Sequence, residues 1–220
     1  MFLIQCKNPK KNSFLESEWI QTKKSRNYID YGKFIQKYPS STYFSEALSE
    51  YNFLKDSIGD FGGCFRFNSH VNINDNKQVL FDHELTNLDS LHLNSFKYLQ
   101  LGKPNISSSL KRKVKIPETN SFDSIATGRF DIIMNNKYSS IVNLQLAVIE
   151  VVRGINNYKE YLSKKWYEKN ISELSNQKRK KIDEIIGLRL LFFDFSDIDS
   201  KKNIPIPISH ISDKKEVDEN

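Results

Sequence analysis

The chain has 220 residues, 33 Lys and Arg against 27 Asp and Glu, a net charge of +6 and a mean hydropathy of −0.56. That length holds one large domain, or one domain with a helical appendage, and no window approaches the ~18 consecutive apolar residues of a membrane-spanning helix. Two cysteines, Cys6 and Cys64, are too few for a disulfide framework or a zinc site, and the modest positive charge permits an anionic partner without demanding one.

Residues 1–12 form a segment of their own. Met1-Phe2-Leu3-Ile4-Gln5-Cys6 is apolar and ends in a cysteine followed by a lysine-rich stretch. It resembles the end of a bacterial lipoprotein signal, in which such a cysteine receives lipid. On that reading the start is truncated, Cys6 carries a lipid anchor and the protein is periplasmic or membrane-anchored. Against it, Gln5 is bulkier than the small residue usual there and no charged leader precedes. The other reading is a cytoplasmic protein with an apolar N-terminus.

Residues 13–60 read as helical. Helices are expected at Phe14–Thr22, Asn27–Lys37 and Tyr43–Ser57, with Pro39-Ser40-Ser41 breaking and capping between the last two. Tyr31 to Tyr43 with Ala47-Leu48 looks like one unit of a tetratricopeptide-type repeat. One unit falls short of the roughly three needed for a solenoid. The unit is then either a cap docked on the next domain or part of a peptide-binding groove.

After Gly62-Gly63 the period changes to two, opening a domain expected over 61–196. Phe65, Phe67, Val71 and Ile73 lie on one strand face, Asn74 to Lys77 turn the chain, and Val79 and Phe81 begin the return strand. Asn87 can cap a helix carrying Leu88, Leu91, Phe96 and Leu99. Val114 and Ile116 make a short strand stopped by Pro117, and Phe130, Ile132 and Met134 make another.

Ser139-Ser140 can cap the longest helix, whose apolar face is Ile141, Leu144, Val148, Val151, Ile155, Tyr158 and Leu162, closed by Trp166 and Tyr167. A shorter helix follows around Ser175–Ile186 and stops at Gly187. Leu188–Phe195 reads as a strand apolar on both faces, hence buried or centrally paired. The element order β-β-α-β-β-α-α-β predicts an α+β fold, a mixed sheet with helices packed on one side.

No catalytic constellation stands out, and no cofactor is expected. None of His70, His83, His92 and His210 has the spacing of a metal motif. Asp82-His83-Glu84 with Asp89 and His92 is the one acidic and imidazole cluster, and such residues at turns and helix starts ordinarily cap and solvate. Cys64, after two glycines, reads as a small buried hydrophobe or an exposed nucleophile. Lys111, Arg112 and Lys113, with Lys178, Arg179, Lys180 and Lys181, are the candidate anion-binding residues. Interleaved acids make them a solvated surface more readily than a nucleic-acid stripe.

From 197 the chain is extended and then charged. Ile204-Pro205-Ile206-Pro207-Ile208 cannot be helical, because alternate residues lack an N–H and have φ fixed. Ile204, Ile206 and Ile208 are candidates to fill pockets on a partner, or to lie against the protein's own sheet.

From Val71 to about Asp194 the chain resembles the periplasmic domain of the ExbD/TolR proteins, in the long-loop ExbD form. Val71-Asn72-Ile73-Asn74 with Val79-Leu80 fits the family's hairpin, and Lys111 to Pro117 fits its basic strand ending in Ile-Pro. Asn135, Asn136, Lys137, Ser139, Ser140 and Ile141 fall at its polar connection, followed by Glu150, Asn156 and Leu162 on the long helix. Tyr167, Lys169, Glu173, Leu174, Ile185, Arg189 and Leu190 continue the match, which runs without a gap from Phe130 to Leu190. The resemblance implies the fold, an envelope location, protein partners and a homodimer. The family's membrane helix and its aspartate have no counterpart here, its Asp-Arg becomes Asn136-Lys137 and its Tyr-Pro becomes Ile186-Gly187. The proton-driven motor is therefore not implied. The alternative is a cytoplasmic protein-interaction or basic nucleic-acid-binding protein.

Overall fold

The computed structural model describes residues 9–57, 68–73, 78–102, 111–134 and 140–194. Among these residues, six helices, a mixed five-stranded sheet and a small two-stranded sheet make the fold α+β, as expected. Cys6, Cys64, Phe65, Phe67, Asn135 to Ser139, Ile204, Ile206, Ile208 and His210 lie outside the described residues.

Three helices come first: α1 (Pro9–Ser25), α2 (Tyr28–Lys37) and α3 (Phe44–Ser57). The first begins inside the segment expected to stand apart. Asn27 caps α2 by accepting from the Ile29 N–H at 2.9 Å. The aromatics of this unit are core: Trp19 stacks on Tyr43 and meets the rings of Tyr31 and Phe34. That core is continuous with the sheet's, since Tyr51 meets Phe192 edge-on at 5.2 Å.

The strands are β1 (Ser69–Ile73), β2 (Val79–Phe81), β3 (Glu84–Thr86), β4 (Lys111–Lys115), β5 (Phe122–Ala126), β6 (Phe130–Met134) and β7 (Leu190–Asp194). The five-stranded sheet runs β3-β2-β1-β6-β7, antiparallel across its first three strands and parallel from β1 to β7. Two strands exceed the expected order. β3 is a three-residue hairpin return, and β5 pairs with β4 in a separate ribbon, so the basic stretch at Lys111 is not part of the main sheet.

Helix α4 (Leu91–Leu101) follows a 3-10 turn at Leu88–Ser90, and the Asn87 side chain makes no cap bond there. Ser140 caps α5 (Ile141–Tyr167) by accepting from the Asn143 N–H, and Ser175 caps α6 (Asn176–Ile186) by accepting from Lys178 N–H. The predicted α5 face is buried from Leu144 to Leu162, whereas Ile141 is exposed. Gly187, at φ 64°, ends α6 where a side chain would strain.

Residues two apart on a strand share a face. Phe130, Ile132, Leu190 and Phe192 therefore point together to the helix side, where Tyr98 of α4 packs edge-on against Phe130 and Tyr51 of α3 against Phe192. β7 is buried yet not centrally paired. Its edge is closed by helices: Lys55 Nζ donates to the Phe192 carbonyl at 2.8 Å. Gln36 donates to Gly187 O and accepts from Arg189 N–H.

Candidate functional site

The opposite edge, β3, has no strand beyond it among the described residues, and its geometry follows from its turn. Asp82 and His83 link β2 to β3 with φ of 50° and 73°, the left-handed pair that a two-residue hairpin requires. Neither is glycine, so the conformation needs support. The Asp82 carboxylate supplies it, accepting from Ser69 Oγ at 2.8 Å and from the His70 N–H at 2.9 Å, while the Asp82 N–H donates to His70 O.

With a two-residue turn, Phe81 and Glu84 form the first hydrogen-bonded pair and Val79 and Thr86 the next. Leu85, opposite Leu80, then directs its N–H and C=O away from β2. One donor and one acceptor are what this edge offers, and the Leu85 side chain beside them is 63% exposed. On the helix side of β3 lies a groove of about 500 Å³ walled by Phe81, Tyr98 and Leu101, with Glu84, Thr86, Asn94 and Lys97 among its polar lining. Leu101 is 68% exposed. Asn94 Nδ2 donates to Thr86 Oγ1 at 3.0 Å and ties α4 to the strand end. Burial, with Asp82 nearby, pushes the Tyr98 phenol well above its ordinary range, so this wall stays neutral.

A polar knot anchors the same hairpin to the sheet. Asp131, 1% exposed, accepts from Asn68 Nδ2 at 2.8 Å, and its other oxygen lies 3.3 Å from His70 Nε2. Asn68 also accepts from the Arg129 N–H, and the His83 ring meets His70 edge-on at 5.7 Å. His70 and Asp131 are direct neighbours in the parallel β1–β6 register. The Ser69 hydroxyl is fully buried and committed to Asp82. The knot holds strands in place; its polar atoms face one another.

The acidic and imidazole cluster read from sequence divides in two. Asp82 and His83 join the knot, whereas His92 Nδ1 sits 3.3 Å from Glu150 Oε2 between α4 and α5, with Arg153 on the same oxygen. Glu84 and Asp89 are exposed. Among the described residues, no group of three or more His, Cys, Asp and Glu side chains is placed to hold a metal ion.

The candidate anion-binding residues lie on β4 and α6, and the fold brings the two stretches together. Arg112 Nη2 donates to the Ile185 carbonyl near the end of α6, and Lys178 pairs with Glu118 beyond β4 at 2.9 Å. Lys113 lies over the Phe122 ring, Lys181 pairs with Glu184 and Arg179 donates to Asn176. Lys111 and Lys180 are exposed. Most of these charges thus have local partners.

Sequence reasoning missed the β3 edge and the buried Arg189. The edge has no pattern of its own in three residues, and the Asp82-His83 turn lacks the glycine that signals such a hairpin. Arg189 is 3% exposed and donates through Nη1 to Gly128 O at 2.9 Å, with no carboxylate among the described residues in ion-pair range. Burial, helped by Arg112 and Arg129, brings its pKa down to about 10. No family model, curated protein or solved structure matches this chain.

Proposed function

We propose that this chain is a non-enzymatic protein-binding domain that takes an extended segment of its partner against β3. The observation that carries this reading is the pairing of one outward backbone donor and acceptor, at Leu85, with an exposed groove alongside, apolar at Phe81, Tyr98 and Leu101 and charged at Glu84 and Lys97. Strand addition uses the first for main-chain hydrogen bonds and the second for side chains. The resemblance to the periplasmic part of ExbD/TolR biopolymer-transport proteins supports a place in the bacterial cell envelope, with Cys6 as the lipid anchor and no motor. Among the described residues, no helix is long and apolar enough to cross a membrane. The basic stretches lend less to a nucleic-acid reading, because Lys178 and Lys181 are spent on Glu118 and Glu184.

The test is photo-crosslinking in the native host. A photoreactive residue at Leu85 or Leu101 should trap one defined envelope protein, identified by mass spectrometry, that the same probe at Ile20 on α1 does not trap. Identical products at all three positions, or none, would overturn the β3 reading. A crosslinked partner from the cytoplasm would keep the binding mode and remove the envelope.

A further inference from the structure

Ile204-Pro205-Ile206-Pro207-Ile208 is a motif that the fold leaves without a role. In an extended chain the N–H and C=O of successive residues point to opposite edges, and their side chains to opposite faces. Proline has no N–H. One edge of this repeat therefore carries the N–H groups of Ile204, Ile206 and Ile208, and the other edge carries no donor at all. A residue before proline is also biased to extended backbone. The repeat is suited to pair on one side only.

β3 offers the matching half. Glu84 and Thr86 are paired with Phe81 and Val79, so only Leu85 faces outward. A strand laid beside β3 needs a donor and an acceptor opposite Leu85 and nothing on either side of them. With Ile206 opposite Leu85, Pro205 and Pro207 fall where β3 has no outward group to satisfy. Side chains of a hydrogen-bonded antiparallel pair share a face, which puts Ile206 beside the exposed Leu85. The two prolines then lie on the other face, over the groove walled by Phe81, Tyr98 and Leu101.

The other edge cannot serve, because Lys55 and Gln36 close it. Reach is sufficient. The register runs Leu85, Leu80, Asn72, Ile133, Phe193 straight across the sheet, so a strand added beyond β3 lies five spacings from β7, about 24 Å. The chain from Asp194 to Ile204 can extend roughly 30 Å.

We propose that Ile204–Ile208 adds to β3 as a further antiparallel strand, with Ile206 opposite Leu85. It occupies the edge that the partner takes, so partner binding requires its release. The competition rests on the reading of β3 as a partner site; the pairing itself does not.

The test is amide hydrogen exchange at Leu85 in the full chain, with Ile206→Pro as the comparison. That substitution makes a polyproline run with no donor opposite Leu85. The Leu85 amide should exchange on the order of tenfold or more below its intrinsic rate in the parent chain. It should approach that rate in Ile206→Pro, while β1 and β6 amides stay unchanged. Equal Leu85 exchange in the two chains would overturn the pairing. Protection that grows with protein concentration would also overturn it, assigning the edge to a second copy's segment. If Ile206→Pro frees Leu85 but no partner crosslinks there, the pairing stands and the partner reading fails. The reverse result separates them the other way.

Discussion

Lys55 Nζ lies 2.8 Å from the Phe192 carbonyl oxygen, joining α3 to the outer edge of β7 across 137 positions of sequence. The same ammonium sits 3.6 Å above the Phe193 ring. In the parallel ladder, Arg189 O bonds to Phe130 N–H, so alternate carbonyls beyond it, Phe192 among them, face away from β6. A strand this apolar with a bare edge invites pairing with other chains. Lys55 fills the acceptor and charges the edge at once.

Lys55→Met keeps the stem and deletes the donor. It leaves the Phe192 carbonyl buried without this partner, a loss of about 1–3 kcal/mol in urea unfolding. We also expect concentration-dependent association in analytical ultracentrifugation. A variant as stable and as monodisperse as the parent would show that the helices cover β7 without help from the ammonium.

Gly154 tests packing against propensity. A helix-interior Gly→Ala change ordinarily gains about 1 kcal/mol. Here an added Cβ would sit 2.6 Å from His92 O and from Ser95 Cβ, backbone and a short side chain that cannot swing away. Overpacking costs about 1–3 kcal/mol or more, so Gly154→Ala should destabilise. A rise in the urea midpoint would mean that α4 and α5 part easily.

Asp123 makes stability acid-sensitive. Burial by itself pushes its carboxyl up, but hydrogen bonds from Lys165, Trp166 Nε1 and the Ser124 N–H outweigh that and hold it below its ordinary value of 3.8. A lowered folded value means the contribution is present above pH 3.8 and is lost as pH falls through the folded value. Asp123→Ala should cost about 1–3 kcal/mol at neutral pH by stranding the Trp166 N–H. The difference from the parent should shrink below pH 3.8, as followed by Trp fluorescence. A gap that stays constant to pH 2 would assign the loss to packing alone.

Arg189 points the other way. A buried guanidinium with one hydrogen bond and no carboxylate partner among the described residues carries a desolvation cost that those neighbours do not repay. Arg189→Met keeps an apolar stem there, and thermal and urea unfolding should report a gain of about 1 kcal/mol at neutral pH. With its folded value near 10 against an ordinary 12.5, the folded chain sheds this proton first. Parent stability therefore recovers between those values and the gain narrows. A loss of 2 kcal/mol or more would show that the hydrogen bond to Gly128 outweighs the cost of burying the charge.

Local signals in the sequence carried much of this fold. The cap at Ser140, the stop at Gly187 and the long apolar face from Leu144 to Leu162 depend on neighbours within a turn or two, so they are visible in one dimension. β5 was hidden because Phe122-Asp123-Ser124-Ile125-Ala126 alternates poorly, with Phe122 exposed on a ribbon rather than in a core. Ile141 was misplaced because the apolar face starts a turn later than the helix.

The sequence by itself determined the α+β class, the bounds of α2, α3, α5 and α6 to within a residue or so, and the one-sided chemistry of the Ile-Pro repeat, since each follows from local backbone and periodicity. Tertiary structure decided which strand edge is open. Lys55 and Gln36 reach β7 from far upstream, and Asn68 and His70 meet Asp131 because the parallel register makes β1 and β6 neighbours. Contacts between residues 60 to 150 positions apart are set by how layers stack, and no local pattern encodes that.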